Sequence, residues 1–192
     1  MSGVPAPPIP PRLDRWPAAV RSAELLRGAA VRCGPGVRLI SWPETPAVRA
    51  AAISRAFEHD RVAARLTAAW IWGAAREPGT PLRFIASRGR LLGDMMRVGI
   101  AVHEYRLEGS EIAEVGGLRV TTPVRTVYDL LRAQHLGRRE LVACRCLLGR
   151  NGVRAGLSAF IAARSRPHDE RVRLRLEDLR PGGLSARRPV SS

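Results

Sequence analysis

Residues 116–131, Gly116-Gly117-Leu118-Arg119-Val120-Thr121-Thr122-Pro123-Val124-Arg125-Thr126-Val127-Tyr128-Asp129-Leu130-Leu131, run a strand directly into a helix and so decide what kind of fold this chain adopts. The paired glycines lie between Glu111–Val115 and Leu118–Thr121, two short runs of strand formers, and predict a hairpin turn. Thr122 followed by Pro123 is a helix start: a hydroxyl to cap free backbone N–H groups, then a residue whose missing N–H costs nothing at the first helical position. Val124, Val127, Tyr128 and Leu131 then recur at i, i+3, i+4 and i+7, the stripe of a helix that buries one face. On the opposite face Arg125 and Asp129 stand four apart and can pair, which reads as an ion pair holding the fold in preference to a working site.

Working outward, Leu82–Ser87 and Ile100–Arg106 are rich in strand formers, and Thr45-Pro46 repeats the cap-and-proline start before an Ala-rich helix expected to reach Asp60. A helix is expected over Trp16–Arg32, with Val20, Leu25, Leu26 and Ala29 inward and Pro17 in its first turn. Val37–Trp42 reads as a strand and Leu66–Gly73 as a short helix whose Trp70 and Trp72 suit a core. Further helices are expected near Arg138–Leu148 and Arg154–Arg164, parted by Asn151-Gly152, with a charged one beyond Pro167. The sum is an α/β (α+β) fold, a small mixed sheet packed with helices and a helical C-terminal part.

The chain of 192 residues suits one domain, or one with a small partial second. Its net charge is +15, and every one of its 32 basic side chains is arginine. A GC-rich coding sequence enriches Arg, Ala, Gly and Pro without any selection for function, so part of this excess is compositional. The imbalance over acids still attracts polyanions, and guanidinium groups match phosphate oxygens two at a time, which makes nucleic acid the default partner class. Arg88, Arg90 and Arg97, in a loop-like stretch offset only by Asp94, are the preferred phosphate-contact candidates, beside a plain reading as a solvated basic loop.

The prolines of residues 1–12 leave no apolar stretch for a signal peptide, and the apolar run Val62–Ala75 is too short for a bilayer and contains Arg65, so a cytoplasmic protein is expected. Cys33, Cys144 and Cys146 form neither a disulfide framework nor a zinc motif. His59, His103, His135 and His168 are isolated, His59-Asp60 reading as a helix-end polar pair, and Gly34-Pro35-Gly36 lacks the spacing of a phosphate loop. Gly109-Ser110 with Glu111 and Glu114 superficially resembles a nucleotidyltransferase signature, but these carboxylates are too close in sequence to the Gly-Ser for a two-metal site, and a surface turn is expected there. No enzyme, metal or cofactor is expected.

Taken together, Gly36-Val37, the Ala-rich helix, Thr67–Gly73 (TAAWIWG) and above all the block at 116–131 resemble the AbiEi-type antitoxin family of type IV toxin–antitoxin, or abortive infection, systems. The resemblance covers roughly residues 30–165; Trp72, Gly73, Thr122, Pro123, Arg125 and Asp129 fall on the family pattern and read as structural. It implies a regulator whose N-terminal winged helix binds its own promoter DNA and whose α/β domain counters a nucleotidyltransferase-like toxin without a stable complex. By this resemblance the chain divides into a disordered Pro-rich leader (1–15), a residual winged-helix-like segment (16–44), an antitoxin-like α/β domain (45–165), and a charged helix with a frayed tail (166–192). Only one helix fits between the leader and Gly36, and the chain stops before the endonuclease-like domain found in many relatives, so both ends are expected to be truncated relative to the family. Two alternatives stay open: a protein-interaction antitoxin remnant that has lost DNA binding, and a degenerate endonuclease-related protein.

Overall fold

The computed structural model describes residues 9–56, 61–86, 99–163 and 168–180, over which the chain forms seven α-helices and two sheets, a mixed α/β fold. It begins earlier than the expected leader allows. Leu13–Arg15 form a 3-10 turn that buries Leu13 and Asp14, and the Asp14 carboxylate accepts a hydrogen bond from Ser54 Oγ at 2.8 Å. Burial raises the proton affinity of Asp14, but Arg12 and Ser54 outweigh it and hold the carboxyl below its usual range.

Helix α1 (Ala18–Leu26) is followed by an antiparallel hairpin of β1 (Ala30–Cys33) and β2 (Gly36–Leu39). This corrects the single helix expected over Trp16–Arg32. Pro17 takes the cap position, and after Gly28 (φ +73°) the backbone becomes a strand because Val31 and Arg32 pair with Arg38 and Val37. No residue of α1 is fully buried, and Val20 and Leu26, expected inward, are exposed.

Helix α2 (Pro46–Ala52) starts as its sequence dictates, with the Val48 N–H donating to Thr45 Oγ1 and Pro46 in the first turn. It ends at Ala52, short of Asp60, and a 3-10 turn at Ser54–Ala56 follows; His59 and Asp60 lie outside the described residues. Next come β3 (Val62–Ala63), α3 (Arg65–Ile71), β4 (Leu82–Ala86), β5 (Ile100–Glu104), and the hairpin of β6 (Ile112–Val115) and β7 (Leu118–Thr121) turning on Gly116-Gly117. These strands make one five-stranded sheet in the order β5-β4-β3-β7-β6. At its centre β3 runs antiparallel to β4 and parallel to β7, with Ala63 opposite Val120, while β4 and β5 are parallel.

Four helices complete the chain: α4 (Pro123–Arg132), α5 (Arg138–Leu148), α6 (Val153–Ala162) and α7 (Asp169–Asp178). The apolar stripe of α4 makes it the hub. Val127, Tyr128 and Leu131 are fully buried against Ala143 and Leu147 of α5, Leu157 of α6 and Val172 of α7. A second core lies between the sheet and α2 and α3, where Phe84 and Val120 meet Val48, Trp70 and Ile71. The half-buried Trp72 packs against both cores, its indole N–H donating to the Thr121 carbonyl at 2.8 Å. No helix among the described residues is long and apolar enough to cross a membrane.

The Gly34-Pro35-Gly36 turn is a close-approach point. A Cβ on Gly36 would sit 2.3 Å from the Ala52 carbonyl oxygen, which is backbone and cannot swing away. Gly36→Ala is therefore expected to push the β1–β2 hairpin off α2 and cost about 1–3 kcal/mol, read as a lower urea midpoint at unchanged slope.

Candidate functional site

Among the described residues, the opposite face of the β4–β5 half of the sheet carries no apolar core. Alternation along β4 sends Phe84 into the core and leaves Arg83 and Ile85 on the other face, next to Ala101 and His103 of β5. Helix α4, the segment after it and the start of α7 wall this face into a cleft of about 530 Å³.

The floor is an ion network. Arg125 Nη1 donates to Glu111 Oε1 at 2.7 Å; its Nε lies 3.0 Å from both Asp129 carboxylate oxygens and its Nη2 2.9 Å from one of them. Arg125 is 1% exposed, Glu111 2% and Asp129 7%. The pairing expected between Arg125 and Asp129 is present, but on a buried face of α4. Glu111 corrects the surface turn expected at Gly109–Glu111: it closes a capping box with Glu108 and reaches Arg125, fourteen residues on. Burial works against the Arg125 charge, yet Asp129 and Glu111 outweigh it and keep the guanidinium protonated. Burial likewise pushes the Asp129 carboxyl up while Arg125 pulls it down; the bidentate contact fits a carboxylate, so the ion pair is the state the geometry supports. Tyr105 lies against this network, its ring 4.6 Å from the Arg125 guanidinium carbon and 5.8 Å from that of Arg132.

Above the floor, four half-buried arginines converge from four elements: Arg65 at the start of α3, Arg83 on β4, Arg132 at the end of α4 and Arg171 on α7. Arg65 and Arg132 pair with no acid among the described residues, and Arg83 Nη1 meets His103 Nε2 at 3.2 Å. Burial lowers the proton affinity of Arg65 and the positive charges of Arg83 and Arg132 lower it further, against the pull of Asp129. His103, exposed at the rim of the cleft, is depressed too, by partial burial first and then by Arg65 and Arg83. Arg65 also holds φ at +52°, a left-handed conformation that costs a side-chain-bearing residue about 1 kcal/mol. Like charges gathered in a concavity, one of them on a strained backbone, form an arrangement that an anion would complete.

The motif residues Trp72, Gly73, Thr122, Pro123, Arg125 and Asp129 come together as one packing unit. Gly73 (φ +80°) ends α3, Trp72 donates to Thr121, and Thr122 Oγ1 accepts from the Arg125 N–H to start α4. Of them only Arg125 and Asp129 reach the cleft. Arg88, Arg90 and Arg97 lie outside the described residues. Nothing in the sequence marks Arg65, Arg83, Arg132, Arg171 and His103 as a site; the two local signals are a charge interrupting an apolar run at Arg65 and an alternating pattern at Arg83. Cys33 and Cys144 are buried, which pushes their thiols up to about 11 and about 12, so neither is a thiolate near neutral pH. Among the described residues no three His, Cys, Asp or Glu side chains are grouped to hold a metal ion. No protein-family model matches the chain, and no curated protein matches it.

Proposed function

We propose that the protein is a cytoplasmic, non-catalytic regulator of the antitoxin type that binds DNA, its own promoter included, with this arginine cleft as a phosphate-contacting surface. The observation that carries the reading is the convergence of Arg65, Arg83, Arg132 and Arg171, with no acid in ion-pair contact with Arg65 or Arg132 among the described residues. The likeness of residues 116–131 to the AbiEi-type block supports the antitoxin part, with a nucleotidyltransferase-like toxin as the functional counterpart. A binding role is favoured over an enzymatic one because Asp129, the acid in the cleft floor, is held by Arg125. A protein-interaction role is the second reading, favoured by Leu26 at the end of α1 and Ile40 just after β2, which are 90% and 62% exposed.

The test is fluorescence anisotropy with duplex DNA from upstream of the gene against a scrambled duplex, across a salt series. Preference for the native duplex near physiological salt is expected. Arg65→Met and Arg83→Met should each weaken binding and flatten the salt slope by about one counterion. Equal, steeply salt-sensitive binding to both duplexes, unchanged in the variants, would sink the promoter-reading role and turn the search to protein partners.

A further inference from the structure

We propose that the cleft is a site for a single nucleotide bearing a phosphomonoester, free or as the phosphorylated 5′ end of a strand. The inference rests on reading the cleft as a phosphate site and goes further, from a surface that touches a backbone to a pocket that takes an end. Shape is the first reason. The cleft's volume of about 530 Å³ falls in the range of small-molecule pockets, so it can enclose a whole terminal nucleotide as well as touch a backbone phosphate. Charge is the second. An internal phosphodiester carries one negative charge, while a phosphomonoester approaches two near neutral pH and has three free oxygens. Arg83 and Arg132 stand close enough to Arg65 to oppose its protonation, and a dianion among the three offsets that repulsion more fully than a monoanion.

The remaining walls suit a nucleoside. Ala64, Ile85 and Ala133 supply apolar surface, and Tyr105 is fixed by the cations against it. Glu104 and Gln134, both exposed at the cleft, provide an acceptor for sugar hydroxyls and a donor–acceptor amide for a base edge. The strained Arg65 fits the same picture, since a backbone conformation that disfavours folding but throws a guanidinium into a recess is retained where a ligand uses it.

Isothermal titration calorimetry on the full chain at physiological salt tests this with AMP, adenosine, inorganic phosphate, and a short single-stranded oligonucleotide with and without a 5′-phosphate. AMP is expected to bind at least about tenfold more tightly than inorganic phosphate, adenosine not measurably, and the 5′-phosphorylated strand at least about tenfold more tightly than its 5′-hydroxyl twin. Arg65→Gly separates binding from folding. Glycine relieves the left-handed strain, so Tm should rise by roughly 2–4 °C while AMP affinity falls at least about tenfold. A lower Tm in that variant, or AMP no tighter than phosphate, or no preference for the 5′-phosphate, overturns the proposal. Should duplex DNA still bind in an Arg65-dependent way under those outcomes, the regulatory reading stands without the nucleotide pocket. Tight AMP binding without any promoter preference would leave the pocket and remove the regulator.

Discussion

Arg125→Met is expected to destabilise the fold by about 3–5 kcal/mol and lower Tm by roughly 6–20 °C. The effect is large because of what the substitution leaves behind. Methionine retains only the aliphatic stem, so the stacking of the guanidinium on Tyr105 and Tyr128 is lost with the charge. The two carboxylates are not moved: Glu111 and Asp129 remain almost wholly buried, with the guanidinium that joined them gone. Isolated buried carboxylates either ionise at a high desolvation cost or take up protons, and both routes favour the unfolded chain at neutral pH. Asp129→Asn keeps the shape and one hydrogen bond and should cost less, about 1.5–3 kcal/mol. Because the network is sheltered from solvent, the loss should change little between low and high salt, unlike that of a surface pair. Thermal and urea unfolding followed by far-ultraviolet circular dichroism measure it. A loss under about 1 kcal/mol for Arg125→Met would mean that this network does not tie the β6–β7 hairpin to α4.

What was legible in the sequence is what local chemistry decides. Thr122-Pro123 and Thr45-Pro46 mark helix starts because the cap hydroxyl and the proline act within one turn, and Gly116-Gly117 marks its hairpin because the turn needs positive φ at both residues. Helix α5 runs over the residues its periodicity marks, with Cys144 buried and Cys146 exposed as a spacing of two requires. The failures lie where distant partners decide. Strand β3 is two residues long and is a strand only because β4 and β7 bracket it, and Ala30–Cys33 leaves the helix only because β2 is there to pair with it. Glu111 reads as a turn residue until Arg125 is folded onto it. The cleft is the clearest case: the cationic excess is visible in the composition, but among 32 identical basic side chains only Arg65, interrupting an apolar run, and Arg83, in an alternating one, stand out locally, and nothing brings them together with Arg132 and Arg171.

That convergence makes His103 a reporter of cleft occupancy, and a second large effect follows from it. In the cleft the imidazole faces Arg83 at 3.2 Å and Arg65 from α3, with Arg132 and Asp129 on α4, Glu104 beside it on β5, and His168 and Arg171 from the α7 side lining the same recess. Its proton affinity is depressed below the ordinary value near 6.5, so as pH falls the unfolded chain takes up this proton first. The stability associated with neutral His103 is therefore full above pH 6.5 and is lost as pH falls through 6.5 toward the depressed folded-state value. A dianion bound among the arginines reverses the local field, raises the imidazole's proton affinity and couples binding to proton uptake. Sulfate is a suitable probe because its own charge does not change over this range. Its affinity is expected to rise by up to about tenfold for each pH unit through which the imidazole must gain a proton on binding, between pH 7.5 and 5.5. His103→Gln retains an acceptor for Arg83 but cannot titrate, so in that variant sulfate affinity should be nearly flat with pH. Measuring the sulfate-induced rise in Tm at both pH values for the two proteins decides the matter: parallel pH dependence in wild type and variant would show that His103 does not sense the anion.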